Sequence, residues 1–152
     1  MHGKTIDQIK VGDQATVSKT ISESDVYLYA GITGDLNPAH VNEAYAEQTF
    51  FKTRIAHGML SAGFVSAILG MHLPGPGTIY LHQTLSFKAP VRIGDTITAS
   101  VEVLEVIDGK NRIRLQTVCE NQEGTVALEG EALVSPPKKP KRRSLATFEN
   151  NC

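Results

Sequence analysis

Residues 57–71 read His57-Gly58-Met59-Leu60-Ser61-Ala62-Gly63-Phe64-Val65-Ser66-Ala67-Ile68-Leu69-Gly70-Met71, without a single Asp, Glu, Lys or Arg. Apolar and small residues fall on every face of a helical projection, the pattern of a helix buried all round. The stretch is too short to cross a bilayer, which takes about 20 apolar residues. It is therefore expected to be the central helix of a folded domain. Gly58, Ser61, Ala62 and Gly63 are small enough to let neighbouring backbone approach. His57, at the helix start, reads first as a structural histidine and only second as a catalytic one.

The residues on either side say what surrounds this helix. After Pro74-Gly75-Pro76-Gly77 the chain turns to strand patterns. The first covers 78–88, and 96–107 places Ile97, Val101, Val103 and Ile107 on one face. Asp108-Gly109 is a hairpin turn signal, followed by the alternation Ile113, Leu115, Thr117, Cys119. A turn at 121–124 leads to a last strand with Val126, Leu128, Ala132 and Val134. Ahead of the helix, 14–19 reads as an edge strand. Ser22 and Asp25 form a capping box for a helix through Val26, Tyr27, Leu28 and Ala30, stopping near Gly31–Gly34. Asn42 reads as the N-cap of a short helix, Glu43 to Gln48. Helices first and consecutive antiparallel strands afterwards make an α+β chain. A single domain is expected, with a curved antiparallel β-sheet wrapped around the central buried helix.

Composition narrows the possible roles. The chain has 152 residues and a net charge of -1, with 41% hydrophobic and 20% charged residues, as in ordinary globular proteins. Residues 1–10 lack the apolar stretch of a signal peptide, so the cytoplasm is expected. Lys138, Lys139, Lys141, Arg142 and Arg143 face one acid, Glu149, in the last fifteen residues, leaving 10 basic and 15 acidic residues elsewhere. An acidic body argues against nucleic acid as the ligand, and no apolar run argues for a membrane. The Pro-rich basic segment 136–152 is expected to be a mobile, solvated tail. Cys119 and Cys152 have neither a disulfide framework nor metal-ligand spacing.

The chemistry gathers in Gly34-Asp35-Leu36-Asn37-Pro38-Ala39-His40. Pro38 forbids a helix continuous through this stretch. The resulting turn can aim the Asp35 carboxylate and the His40 imidazole at one small volume, where the pair can handle a water molecule. Gly, Asp, Asn and Pro are also the commonest turn formers, and a plain surface turn is the competing reading.

This stretch, followed by His57-Gly58-Met59-Leu60, Ile79-Tyr80-Leu81, Leu85-Ser86-Phe87-Lys88-Ala89-Pro90-Val91 and Gly94-Asp95, resembles the MaoC-like (R)-specific enoyl-CoA hydratases, which have a hot-dog fold. The resemblance covers about residues 5–135, which sets the expected domain at 1–135 and leaves the tail without a counterpart. It implies reversible syn addition of water to a trans-2-enoyl-CoA, giving an (R)-3-hydroxyacyl-CoA. Asp35 and His40 would hold and deprotonate the water and return a proton to C2, their division of labour left open. The backbone N–H of Gly58 would hold the thioester oxyanion. Ser66 matches a position where the family carries a serine near the catalytic pair. Asn37 and Leu69 are candidates to touch substrate, with a turn-fixing role and ordinary core packing as their plainer readings. Lys52, Arg54, Lys88 and Arg92 are candidates for the phosphates of coenzyme A. The resemblance further implies a homodimer and no metal, nucleotide or prosthetic group. An acyl-CoA thioesterase of the same fold, a 3-hydroxyacyl-carrier-protein dehydratase and a non-catalytic acyl-CoA binder are the competing functions. The Asn-Pro-x-His element after Asp35 favours hydration over thioester hydrolysis.

Overall fold

The computed structural model describes residues 2–140; Lys141 to Cys152, most of the basic tail, lie outside them. The elements are β1 (Gln14–Thr20), α1 (Glu23–Thr33), α2 (Pro38–Val41), α3 (Glu43–Ala46), α4 (Gly58–Met71), β2 (Ile79–Gln83), β3 (Ser86–Phe87), β4 (Thr96–Ile107), β5 (Arg112–Glu120) and β6 (Val126–Ser135). The strands form one antiparallel sheet in the order β1-β4-β5-β6-β2, with β3 also paired to β6. This is the hot-dog arrangement, a sheet folded around α4.

Alternation along β4 builds the core. Ile97, Ala99, Val101 and Val103 point inward and are at most 2% exposed. Ile113, Leu115 and Cys119 of β5 and Leu128, Ala132 and Val134 of β6 continue the same inner face. Onto it α4 lays Val65, Ile68 and Leu69, each burial stabilising by about 1.5–3 kcal/mol. The capping box that opens α1 is formed as the sequence predicts. Ser22 Oγ accepts from Asp25 N–H and Asp25 Oδ2 accepts from Ser22 N–H. Asn42 Oδ1 likewise caps α3 through the N–H of Tyr45.

Three expectations are corrected. First, among the described residues α4 is covered on one side only. Its buried positions Ser61, Val65, Ile68 and Leu69 follow one helical face, while Met59, Gly63, Ser66 and Ala67 are exposed. A single sheet shields one face of a helix, and lack of charge by itself does not bring a second cover. Second, the strand expected over 78–88 breaks into β2 and β3 around Thr84. The Thr84 carbonyl turns into β6, against Gly130, where a Cβ would overlap the carbonyl oxygen. Thr84 N–H donates to Glu131 O (2.9 Å) and its hydroxyl accepts from Glu131 N–H (3.0 Å), closing the break. Third, the β4–β5 turn is a 3₁₀ turn over Asp108–Lys110 whose left-handed residue is Asn111 (φ 51°), so the turn runs past Asp108-Gly109. Asn111 then donates to Pro136 O (2.8 Å), and Lys139 pairs with Asp7 (2.9 Å).

Two predictions concern stability. Gly130→Ala has no room against a backbone carbonyl and is expected to cost at least about 2 kcal/mol in urea unfolding, with a matching fall in Tm. Asp25 accepts from Lys19 Nζ (2.7 Å) and from Ser22 N–H, which hold its carboxyl down from 3.8 to about 2. A depressed folded value stabilises above the unfolded one and is lost as pH falls through it. The stability gap between the native protein and Asp25→Asn should therefore be full at neutral pH. It should close as pH drops from about 4 towards about 2, measured by urea unfolding across that range.

Candidate active site

Four local bonds shape the turn after α1. Gly34 ends α1 in the left-handed region (φ 78°), where a side chain would be strained, and its N–H donates to Ala30 O. Asp35 N–H donates to Thr33 Oγ1 (3.2 Å), and Asp35 Oδ1 accepts from Asn37 N–H (3.2 Å). Asn37 Oδ1 in turn accepts from Ala39 N–H (3.1 Å), capping α2 with Pro38 at its first position. Pro38 thus ends one helical path by starting another in a new direction.

That change of direction carries His40 inward to 9% exposure. Its Nδ1–H donates to the carbonyl of Ile55 at 2.7 Å, leaving Nε2 as the nitrogen free to exchange a proton. His57, 3% exposed, donates from Nε2–H to the backbone carbonyl of Asp35 at 3.0 Å. The same nitrogen is 4.0 Å from Asp35 Oδ2. The rings of His40 and His57 stack with centroids 3.9 Å apart and an interplanar angle of 31°, and Tyr29 covers His57 at 4.7 Å. A carboxylate oxygen of Asp35 and one nitrogen from each histidine all lie within 4.8 Å of one another. Two hydrogen bonds of about 2.8 Å through one water bridge such a gap.

Two histidines and a carboxylate also suggest a metal site, but the geometry does not fit one. Ligands at about 2.0–2.2 Å from a tetrahedral zinc stand about 3.4 Å apart. His57 Nε2 stands 4.0 Å from Asp35 Oδ2, wider than that spacing. That Nε2 carries its hydrogen to the Asp35 carbonyl and so offers an ion no lone pair.

Beside this cluster opens a cavity of about 660 Å³. His40, Gly58 and Ser61 are on its wall with Ile55, Ala56, Val91, Ala127 and Leu128, and Phe50, Phe51, Met59 and Phe87 add apolar surface. Gly58 is the first residue of α4, and the His57 side chain makes no capping bond. The Gly58 N–H consequently has no acceptor within its own helix. A Cβ here would lie 2.6 and 2.7 Å from ring atoms of Phe87, so only glycine leaves both ring and amide in place. Ser61 Oγ is buried without a partner, while its carbonyl accepts the Cys119 thiol at 3.5 Å. Burial pushes that thiol up to about 11, in keeping with a small buried hydrophobe.

Asp35, His40 and Gly58 are thus brought to one end of α4, and the other expected contacts are not. Asn37 is spent on capping α2 and is not on the cavity wall. Leu69 is 1% exposed among core residues, because it faces the sheet. Ser66 stands on the uncovered face of α4, away from the cavity wall. Among the cations, Arg54 is engaged by Glu43 (3.0 Å), Glu23 (2.6 Å) and Tyr27 (2.8 Å), which ties α1 to α3. Arg92 donates to Phe51 O, and Lys88 is on the wall beside Glu129 (3.1 Å). Sequence patterning does not single out Phe50, Phe51 or Ser61 as site residues; the adjacent pair Phe50-Phe51 is the signal the sequence offers for the first two.

With this geometry in view, comparison with known proteins gives a consistent result. Residues 7–125 match the MaoC like domain. The chain is 59% identical over 133 residues to an (R)-specific enoyl-CoA hydratase of Rhodospirillum rubrum, covering 88% of this chain and 92% of that one. It is 50% identical over 140 residues to a 3-hydroxybutyryl-CoA dehydratase of Methylorubrum extorquens, covering 92% and 88%. The solved structure of R-hydratase PhaJ1 from Pseudomonas aeruginosa superposes with a TM-score of 0.86 at 41% identity, over 99% of this chain and 98% of that one. The chain belongs to the MaoC-like domain family.

Proposed function

We propose that this protein is an (R)-specific enoyl-CoA hydratase, a hydro-lyase that adds water to trans-2-enoyl-CoA and removes it from (R)-3-hydroxyacyl-CoA. One observation carries the proposal. An Asp35 oxygen and a His40 nitrogen lie within 4.8 Å of each other, a gap that one water spans, and His40 is on the wall of an apolar cavity together with Gly58, whose amide has no acceptor in its helix. The high identity to proteins named for this reaction supports it.

Each step has a group to perform it. Asp35 Oδ1 is occupied by Asn37 N–H, so Oδ2 is the oxygen that accepts a proton from the attacking water. His40, with Nδ1 fixed on Ile55 O, uses Nε2 to orient that water and carry a proton to C2. Charge that builds on the thioester oxygen is met by the Gly58 N–H. It is met also by the positive end of α4, which carries about half a unit charge. The apolar wall receives the acyl chain, and Lys88 is the cation best placed for the phosphates of coenzyme A. The enzyme works as a homodimer in the cytoplasm. Support for pairing comes from the edge strand β2, where Ile79 (61%), Tyr80 (39%) and Leu81 (43%) are exposed, and from the open apolar face of α4. Among the described residues no helix is long and apolar enough to cross a membrane.

The deciding experiment incubates the protein with crotonyl-CoA and follows the absorbance of the conjugated thioester together with free thiol. Conjugation should disappear without thiol release; released thiol would establish thioester hydrolysis in its place. Asp35→Asn keeps the acceptor for Asn37 N–H, so the fold should persist while kcat falls about 10²–10⁴-fold. At Gly58, alanine and proline both press on Phe87, and proline alone removes the N–H at a helix position that tolerates it. Turnover of Gly58→Pro should fall about 10²–10³-fold below that of Gly58→Ala.

A further inference from the structure

We propose that His57 is the positioning residue of this site: it holds Asp35 and His40 in register and touches no substrate. The inference rests on the hydratase reading of the Asp35–His40 pair, which leaves His57 without a task.

Its position is unusual for a residue at the start of a helix. N-cap side chains ordinarily accept from the first free N–H groups of their own helix. His57 makes no such bond, and its side chain serves a residue 22 positions earlier. It is buried and absent from the cavity wall, which rules out direct contact with a substrate bound there.

Three elements converge on this one ring. Nε2–H fixes the backbone carbonyl of Asp35 at 3.0 Å, and so the turn between α1 and α2. One face packs on His40 of α2 at 3.9 Å, and Tyr29 of α1 packs on the ring at 4.7 Å. Since α4 is anchored in the core by Val65, Ile68 and Leu69, His57 transmits that rigid frame to both reacting groups. A carbonyl can only accept, so the tautomer is fixed with hydrogen on Nε2. Nδ1 is buried and makes no hydrogen bond with the described residues. The ring therefore serves as a fixed spacer packed on His40, with its Nε2–H already committed to the Asp35 carbonyl.

Substitutions separate the two parts of this role. Glutamine places an amide nitrogen as many bonds from Cβ as Nε2, and asparagine stops one atom short. Phenylalanine keeps the stacking ring and loses the donor. With crotonyl-CoA, His57→Asn and His57→Phe should lose about 10²-fold in kcat, as for reacting groups misplaced by about 1 Å, with KM nearly unchanged. His57→Gln should recover most of that loss. Native kcat in His57→Phe, or a rise in KM at constant kcat, would overturn the proposal. Crystal structures of the unliganded variants give a readout independent of activity. The 34–37 turn should shift in His57→Asn and stay in place in His57→Gln, and an unmoved turn in His57→Asn would overturn the proposal. An inactive native protein would refute the hydratase reading alone, and the turn displacement would still decide the role of His57.

Discussion

The first turn of α4 is left without a side-chain cap, and the helix is held by its packing on the sheet instead. A helix begins with N–H groups that its own backbone cannot satisfy, and most helices satisfy one with the N-cap side chain. Here α1 and α3 do so through Ser22 and Asn42. The N-cap of α4 is a histidine turned the other way, and the next residue is a glycine under an aromatic ring. An uncapped helix end is tolerable only if the helix is held by something else. The packing of Val65, Ile68 and Leu69 on the inner face of β4, β5 and β6 supplies that hold.

This anchoring explains how a turn rich in flexible residues becomes a precise device. Asp35 lies on the surface, its side chain 51% exposed, in a segment that begins with a left-handed glycine. On its own such a segment samples many conformations. Three bonds remove that freedom: Thr33 Oγ1 takes the Asp35 amide, Asp35 Oδ1 takes the Asn37 amide, and His57 takes the Asp35 carbonyl. The Arg54 cluster adds a second restraint by tying α1 to α3 across the turn. Glu23 and Glu43 both have carboxyls held below their ordinary range, chiefly by hydrogen bonds with Arg54 at Glu23 and with Thr53 and Arg54 at Glu43. With both carboxylates exposed to solvent, this network contributes alignment more than stability.

What the sequence makes legible follows from how local each signal is. Capping at Ser22 and Asn42, the alternation of β5 and of the first half of β4, and the presence of a helix at 58–71 depend on residues a few positions apart, and the structure forms them as read, whereas the all-round burial expected of α4 is not formed. The convergence of Asp35 and His40 is also local, because Pro38 dictates the redirection between them. Features set by distant partners are a different matter. The break at Thr84 depends on Gly130, and the engagement of Arg54 depends on Glu23 and Tyr27. The exposure of Ser66 depends on which face of α4 the sheet covers. No window of neighbouring residues contains that information.

On the reading proposed for the site, hydrogen-bond bookkeeping also bears on the division of labour that the motif alone leaves open. Each member of the pair has one of its two functional atoms committed to backbone: Asp35 Oδ1 to an amide and His40 Nδ1 to a carbonyl. An oxygen that can only accept is then opposed to a nitrogen that can accept or donate. For hydration, one proton of the water passes to Asp35 as the hydroxyl adds to C3, a proton on His40 Nε2 passes to C2, and the proton on Asp35 then returns to His40 to restore both groups. Dehydration runs the same transfers backwards. The His57 ring, packed on His40 at 3.9 Å, holds that imidazole in its orientation. An asymmetry written into the backbone contacts of two side chains thus suffices to give them different roles.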